Sequence, residues 1–310
     1  KSSTMRMIAG LEEVTSGDIL FDGKSVLDQR PRDRNVAMAF ETYALYPTLT
    51  VYENLAFPLR SAGLSNAETD TRVREMAGIV DIGELLDRIP GRLSSGQSQL
   101  VGLARALIRK PSVFLLDEPI SHLDTRQRAL MRAYIKRLHI DLGYTMVYVT
   151  HDQEGAMALA DRVAVMDEGI LRQVGTPGQI HDRPADTFVA GFIGDPPMNF
   201  LQGTCVREGE KVLLTSETTR IELPPSTRGI DRSAVLPGDL VLGIRPFHVA
   251  LSQEKRAGLS LRGEVFVVEP LGDMTIVSVN LDRTRFQVAA PAGFRARPGE
   301  TMWLELAPEH

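Results

Sequence analysis

Apolar and polar positions follow two rhythms along the chain, a mixed helical and strand pattern to about residue 198 and short β-branched runs after it. Residues 2–9 have helix-forming spacing, and Ile19-Leu20-Phe21 followed by Asp22-Gly23 is a hairpin signal. Val36–Phe40 reads as a buried strand. From about 52 to 95 the pattern is helical, with Val73, Met76, Ala77, Ile79 and Val80 assigned to one face. A helix is predicted over 97–110, stopped by Pro111, and the apolar run 112–116 is a strand. A helix over 125–142, a strand over 145–150, a short helix over 153–160 and a hairpin at Glu168-Gly169 complete this half. Strands alternating with helices predict a parallel sheet covered on both faces. Beyond Gly194–Leu201, segments at 203–207, 211–215, 239–245, 264–268, 274–280, 284–289 and 301–306 predict a small all-β sandwich or barrel.

Composition narrows the function classes. The 310 residues suggest two domains, and 43% hydrophobic with 24% charged residues is the balance of a globular protein. The 35 basic and 40 acidic residues give a net charge of −5, which argues against a general nucleic-acid binder that needs a basic face. A single cysteine, Cys205, excludes an internal disulfide framework and a cysteine-based zinc cluster. No apolar run approaches the ~18 residues of a membrane span, and the polar start Lys1–Arg6 does not read as a signal peptide. Any membrane role is expected to come through a partner.

Two short strings carry chemistry. Val113–Leu116 runs into Asp117-Glu118-Pro119, a buried strand ending in two consecutive carboxylates. At the carboxyl end of a parallel strand, one acid can hold Mg²⁺ through water and the next can take a proton from attacking water. The alternative is a loop that begins with two solvated acids. Leu93-Ser-Ser-Gly-Gln97 opens a helix, where Ser94 can cap and the free first-turn amides make an anion site. The alternative there is a cap and nothing more.

The order of these strings, with Ser121-His-Leu-Asp124 and Val149-Thr-His-Asp152 behind them, resembles the nucleotide-binding subunit of an ATP-binding-cassette (ABC) transporter. The chain is most similar to carbohydrate-importer ATPases of the maltose and glycerol-phosphate type. Local matches are Met7-Ile-Ala-Gly-Leu-Glu12, Tyr43-Ala-Leu-Tyr-Pro47, Ala104-Arg-Ala-Leu107, Gly175-Thr-Pro177, Arg183-Pro-Ala185, Phe188–Gly194 and Gly243-Ile-Arg-Pro246. The resemblance implies an α/β P-loop NTPase core over 1–198 with a helical subdomain at about 52–95, then a β-rich OB-fold-like regulatory domain over 199–310.

It also implies roles. Lys1 matches the lysine that grips the β- and γ-phosphates, Ser2 the Mg²⁺ ligand, and Ser3 and Thr4 neighbours of the phosphates. Asp117 supports Mg²⁺, Glu118 is the general base and His151 senses the γ-phosphate. For His151 the bland alternative is a satisfied histidine at a strand end. Two subunits meet head to tail in this family, so Ser94, Ser95, Gly96 and Gln97 contact ATP held by a partner, as homodimer or heterodimer, and Asp124 sits on the seam. Asp124 also reads as the N-cap of helix 125–142, which is compatible. Two transmembrane permeases are implied, docking their coupling helices near Tyr43–Pro47 unless those aromatics are core. An external solute-binding protein acts indirectly, and the location implied is the cytoplasmic face of a bacterial membrane, peripherally.

The sequence departs from the family in several places. The glycine-rich loop that precedes the lysine in the family is not in this sequence, so an N-terminally incomplete chain is expected. Losing four charged amide contacts of ~1.5–3 kcal/mol each removes at least ~6 kcal/mol, against ~8 kcal/mol for micromolar binding. Glu41 stands where the family usually has glutamine; it is assigned to the nucleotide and to Mg²⁺, and adds a negative charge near phosphates. Ser95 replaces a glycine, Leu100 an arginine, His122 an asparagine and Phe247 a glutamate.

The leading expectation is therefore an ATP-hydrolysing, energy-coupling subunit of an importer for sugars, polyols or glycerol phosphates. The alternative is a non-catalytic partner in an asymmetric heterodimer, motivated by Glu41 and the absent loop. A DNA-repair or translation ABC ATPase is disfavoured by the acidic charge and the lack of a long coiled coil or second cassette.

Overall fold

The computed structural model describes residues 1–39, 45–121, 123–216, 220–225, 227, 238–256, 259–281 and 284–307. The chain divides into two compact units, 1–177 and 178–310. Among the described residues no helix is long and apolar enough to cross a membrane.

The first unit opens with α1 (Ser2–Ala9), a hairpin of β1 (Leu20–Phe21) and β2 (Lys24–Ser25), and β3 (Val36–Ala39). Helices α2 (Val51–Ser61), α3 (Asn66–Ile79) and α4 (Ser95–Leu107) follow, then β4 (Val113–Asp117), α5 (Thr125–Leu142), β5 (Thr145–Val149), α6 (Gln153–Leu159), and the antiparallel pair β6 (Val163–Asp167) and β7 (Ile170–Gly175). Strands β3, β4 and β5 form a parallel sheet in that order.

Alternation along β4 decides how that sheet is covered. Phe114 and Leu116 face a large core shared with α2, α3, α4 and α5, whereas Val113 and Leu115 face Met5 and Ala9 of α1. The neighbours obey the same parity: Ala37 and Met146 lie in register with Phe114, and Met38 and Val147 with Leu115. Burying each of these large side chains stabilises the sheet by about 1.5–3 kcal/mol, so a one-residue slip of β4 would be prohibitive. The strand therefore has one position at which to end, and it ends on Asp117.

The helices start where side chains close their first turns. Thr50 with Glu53, Ser65 with Glu68 and Ser94 with Gln97 each make a reciprocal capping box. For this reason α4 begins at Ser95 rather than at Gln97, and it ends at Leu107, before Lys110 takes a left-handed φ of 53° ahead of Pro111. In α3 the predicted apolar face holds except at Ile79, which is 38% exposed. Val73, Met76, Ala77 and Val80 are spaced i, i+3, i+4, i+7, but Ile79 at i+6 falls on the far side.

The second unit carries α7 (Pro177–Asp182), which begins at its edge, and α8 (Thr187–Phe192). Its strands are β8 (Asn199–Glu208), β9 (Lys211–Thr215), β10 (Arg220–Leu223), β11 (Gly238–Ile244), β12 (Val249–Ser252), β13 (Ser260–Pro270), β14 (Met274–Leu281), β15 (Thr284–Pro291) and β16 (Thr301–Leu306). They form two antiparallel sheets, β10-β9-β8-β11 and β12-β16-β13-β14-β15, around one core that includes Leu201, Leu214, Val277, Phe286 and Leu304. The predicted all-β half is thus observed, with β10 and β12 as strands the sequence pattern did not single out. Asn199 ties the two sheets: its amide donates to the Gln287 carbonyl at 2.8 Å and accepts the Gln287 N–H at 2.7 Å. Gly263 is required where β13 meets β14, since a Cβ there would lie 2.5 Å from Val279.

Arg245 explains the Gly-x-Arg-Pro string. It is 5% exposed, and its guanidinium donates to the carbonyls of Ala190, Ile193 and His181, holding the carboxyl ends of α7 and α8. Burial lowers its pKa.

Candidate functional site

The carboxyl end of the parallel sheet gathers the first group of candidates. Ser2 Oγ donates to Asp117 Oδ1 at 3.2 Å, and Lys1 Nζ donates to the Thr150 carbonyl at 3.0 Å. Lys1 is the N-cap of α1; among the described residues no side chain caps its first turn, which holds Ser2, Ser3 and Thr4 and no acid, a charge pattern that suits an anion. All three side chains are exposed.

Glu118 follows Asp117 with a φ of 48°, the left-handed region, at a cost of about 1–2 kcal/mol for a residue with a Cβ. That turn separates the two carboxylates, one toward Ser2 and the other toward β5. Glu118 Oε2 lies 3.0 Å from His151 Nδ1, and Thr150 Oγ1 donates to the same oxygen at 3.4 Å. The Glu118 side chain is 24% exposed and His151 74%, so the acid is sheltered while the imidazole faces outward. Beside them, burial pushes the Tyr148 phenol up, which keeps it neutral.

A second group assembles at the start of α4. Ser94 Oγ accepts the Gln97 N–H at 3.2 Å, and Gln97 Oε1 accepts the Ser94 N–H at 3.0 Å. Ser95 Oγ donates to Gln127 Oε1 at 3.0 Å, and a Cβ on Gly96 would come within 3.2 Å of that oxygen. Gln127 also donates its N–H to Asp124 at 2.8 Å, which caps α5. Gln127 thus joins Ser95 and Asp124, and sequence reasoning gave it no role; it lies in a helical stretch with nothing to mark it. Thr150 was quoted as part of a motif but likewise had no task. Among the described residues, no hydrogen bond or ion pair links this group to the one around Asp117. Glu41, Tyr43 and His122 lie outside the described residues.

A cleft of about 480 Å³ opens between β3, α2 and α4. Tyr46 and Phe57 pair on its wall with ring centroids 4.9 Å apart, and the Arg105 guanidinium lies 5.3 Å over Tyr46. Both rings stay exposed, 41% and 46%, so they are not core. The buried Asn54 fixes the loop, accepting the Tyr46 N–H and donating to the carbonyls of Tyr46, Leu49 and Thr50. Among the described residues, Arg105, whose pKa burial lowers, and Arg109 are the charged residues of the lining.

Comparison with known proteins agrees with both halves. Residues 1–121 match the ABC transporter family, 194–249 the MalK OB fold domain and 242–310 the TOBE domain. The trehalose/maltose import ATP-binding protein MalK of Thermococcus litoralis is 44% identical, covering 96% of this chain and 82% of the relative. The sn-glycerol-3-phosphate import ATP-binding protein UgpC of Salmonella typhimurium is 44% identical over 100% of this chain and 85% of the relative. The sulfoquinovosyl glycerol transport ATP-binding protein SmoE of Agrobacterium fabrum is 41% identical over 99% and 84%. With similarity of this order along nearly its whole length, the chain belongs to the ATP-binding subunits of ABC importers and is an ATPase whose hydrolysis is coupled to transport.

Proposed function

We propose that hydrolysis runs on the Lys1, Ser2, Asp117, Glu118 and His151 cluster, completed by Ser94–Gln97 of a second subunit. The observation that carries this reading is the shared oxygen of Glu118, 3.0 Å from His151 at the end of a sheet whose preceding residue already engages Ser2. Lys1 and the open first turn of α1, with Ser3 and Thr4, neutralise the β- and γ-phosphates. Glu118 accepts the proton of the attacking water, and the outward nitrogen of His151 contacts the γ-phosphate.

Ser2 and Asp117 offer a hydroxyl and a carboxylate, the hard oxygen donors that magnesium takes. The ion, when bound, offsets phosphate charge; Glu41 is a further candidate ligand. The separation of the α4 group from the Asp117 group fits a site divided between two subunits, homodimeric or heterodimeric, with Asp124 near the seam. The cleft with Tyr46, Phe57 and two arginines is our candidate seat for a permease coupling helix on the cytoplasmic face. Cargo is proposed as a sugar or a related polyol or glycerol phosphate, because relatives with these printed specificities are 41–44% identical. The permeases and the external binding protein choose among them.

The test is ATPase activity of the full-length subunit reconstituted with its permeases and binding protein, across maltose, trehalose and glycerol 3-phosphate, with and without Mg²⁺. Stimulation by one solute class, lost without Mg²⁺, is expected. Hydrolysis that no such solute stimulates would overturn the cargo assignment, and Mg²⁺-independent hydrolysis the metal assignment.

A further inference from the structure

Thr150, just past β5, touches three parts of the site at once. Its carbonyl accepts Lys1 Nζ at 3.0 Å, its hydroxyl oxygen accepts the Asp152 N–H at 2.9 Å, and the same hydroxyl donates to Glu118 Oε2 at 3.4 Å. A hydroxyl has one proton to give. The Asp152 N–H occupies an acceptor position on the oxygen, so the proton points elsewhere, and the Glu118 carboxylate is the anionic acceptor within its reach. Asp152 is itself fixed: it caps α6 by accepting the Gly155 N–H at 3.0 Å and pairs with Arg132 at 3.6 Å.

The consequence falls on Glu118. The terminal torsion of a glutamate is broad, so a carboxylate held at one point can turn its plane about the last bond. Here Oε2 receives both His151 Nδ1 and the Thr150 hydroxyl. The backbone behind it is anchored, with the Glu118 N–H donating to the Val149 carbonyl at 3.0 Å.

We propose that Thr150 is a positioning residue for hydrolysis: its hydroxyl fixes the plane of the Glu118 carboxylate so that the oxygen it does not hold stays presented to water, and it does so from the residue whose carbonyl holds Lys1. The inference rests on the reading of Glu118 as general base. An unchanged rate in Glu118→Gln would sink that reading, whereas a normal rate in Thr150→Val with an impaired Glu118→Gln would sink this inference alone.

The experiment measures kcat and KM for Mg-ATP in the full-length subunit with its permeases, for Thr150→Val and Thr150→Ser. Valine keeps the shape and removes the hydroxyl; kcat is expected to fall about tenfold or more with KM within about twofold, and serine to restore kcat to within about threefold of wild type. Valine also strips the acceptor of the Asp152 N–H, so thermal unfolding is followed in parallel. A drop in stability at unchanged kcat, a rise in KM at unchanged kcat, or a kcat loss that serine fails to restore overturns the proposal. If Thr150→Val does not fold, Thr150→Ala carries the same comparison.

Discussion

Under the proposed mechanism Glu118 carries the heaviest chemical demand on a single residue. It sits at a φ of 48°, beside another acid and sheltered, features with a cost that the surrounding contacts, including His151, sustain and that cluster at functional sites. Replacing it with glutamine keeps the shape and hydrogen bonding of the side chain but removes the base. Phosphate release by Glu118→Gln is expected to fall about 10²–10⁴-fold, while nucleotide affinity, read by equilibrium binding, stays near wild type. A loss of affinity as large as the loss of rate would mean that this carboxylate binds rather than catalyses. The pair stood out in the sequence as two carboxylates closing an apolar strand, but a loop opening on two solvated acids was a competing structural explanation, and the order of the motifs supplied the roles. Thr150 and Gln127 did not, because a hydroxyl or an amide acquires its role only from what the fold brings beside it, 32 residues away in both cases.

Helix ends and turns make up the element scale. The start of α4 was readable within two residues because Ser94 stood out as a cap, whereas the start of α3 and the short α7 and α8 were not singled out. Ile79 was misplaced because counting apolar residues does not weigh the 100° step between them. The Ser65 capping box also titrates. The Ser65 hydroxyl and N–H hold the Glu68 carboxyl below its ordinary value of 4.5. A lowered folded pKa means the stabilisation is present above the unfolded value and lost as pH falls through the folded one. Glu68→Gln is therefore expected to narrow the gap in unfolding midpoint between pH 7 and pH 3; denaturation that keeps the wild-type pH slope would contradict it. In the second unit Arg245 links three carbonyls at once, which no string pattern displays. Arg245→Ala leaves those acceptors buried without their donor and is expected to destabilise that unit by about 3 kcal/mol, seen in urea unfolding followed by far-UV circular dichroism. Arg245→Lys has one head group for three acceptors and should recover only part of it.

At the scale of the whole molecule, the two groups of candidate residues pose a geometric problem that one subunit does not solve. Lys1, Ser2, Asp117, Glu118 and His151 converge, and Ser95, Gly96, Gln127 and Asp124 converge, yet among the described residues nothing bonds one set to the other. If each nucleotide lies between the first set of one subunit and the second set of its partner, two-fold symmetry gives two such sites per dimer. A subunit with Glu118→Gln and a subunit with Gly96→Asp are then each inactive alone, the second because its new side chain would crowd Gln127 and the phosphate-facing turn. Mixed together, they form heterodimers in which one site carries both lesions and the other carries neither. Random pairing at equal amounts makes half the dimers mixed, so a single-turnover burst of up to about a quarter of the wild-type amplitude should reappear. A site contained within one chain predicts none, and a mixture that stays silent while mixed dimers are shown to form by differential tagging would refute the divided site.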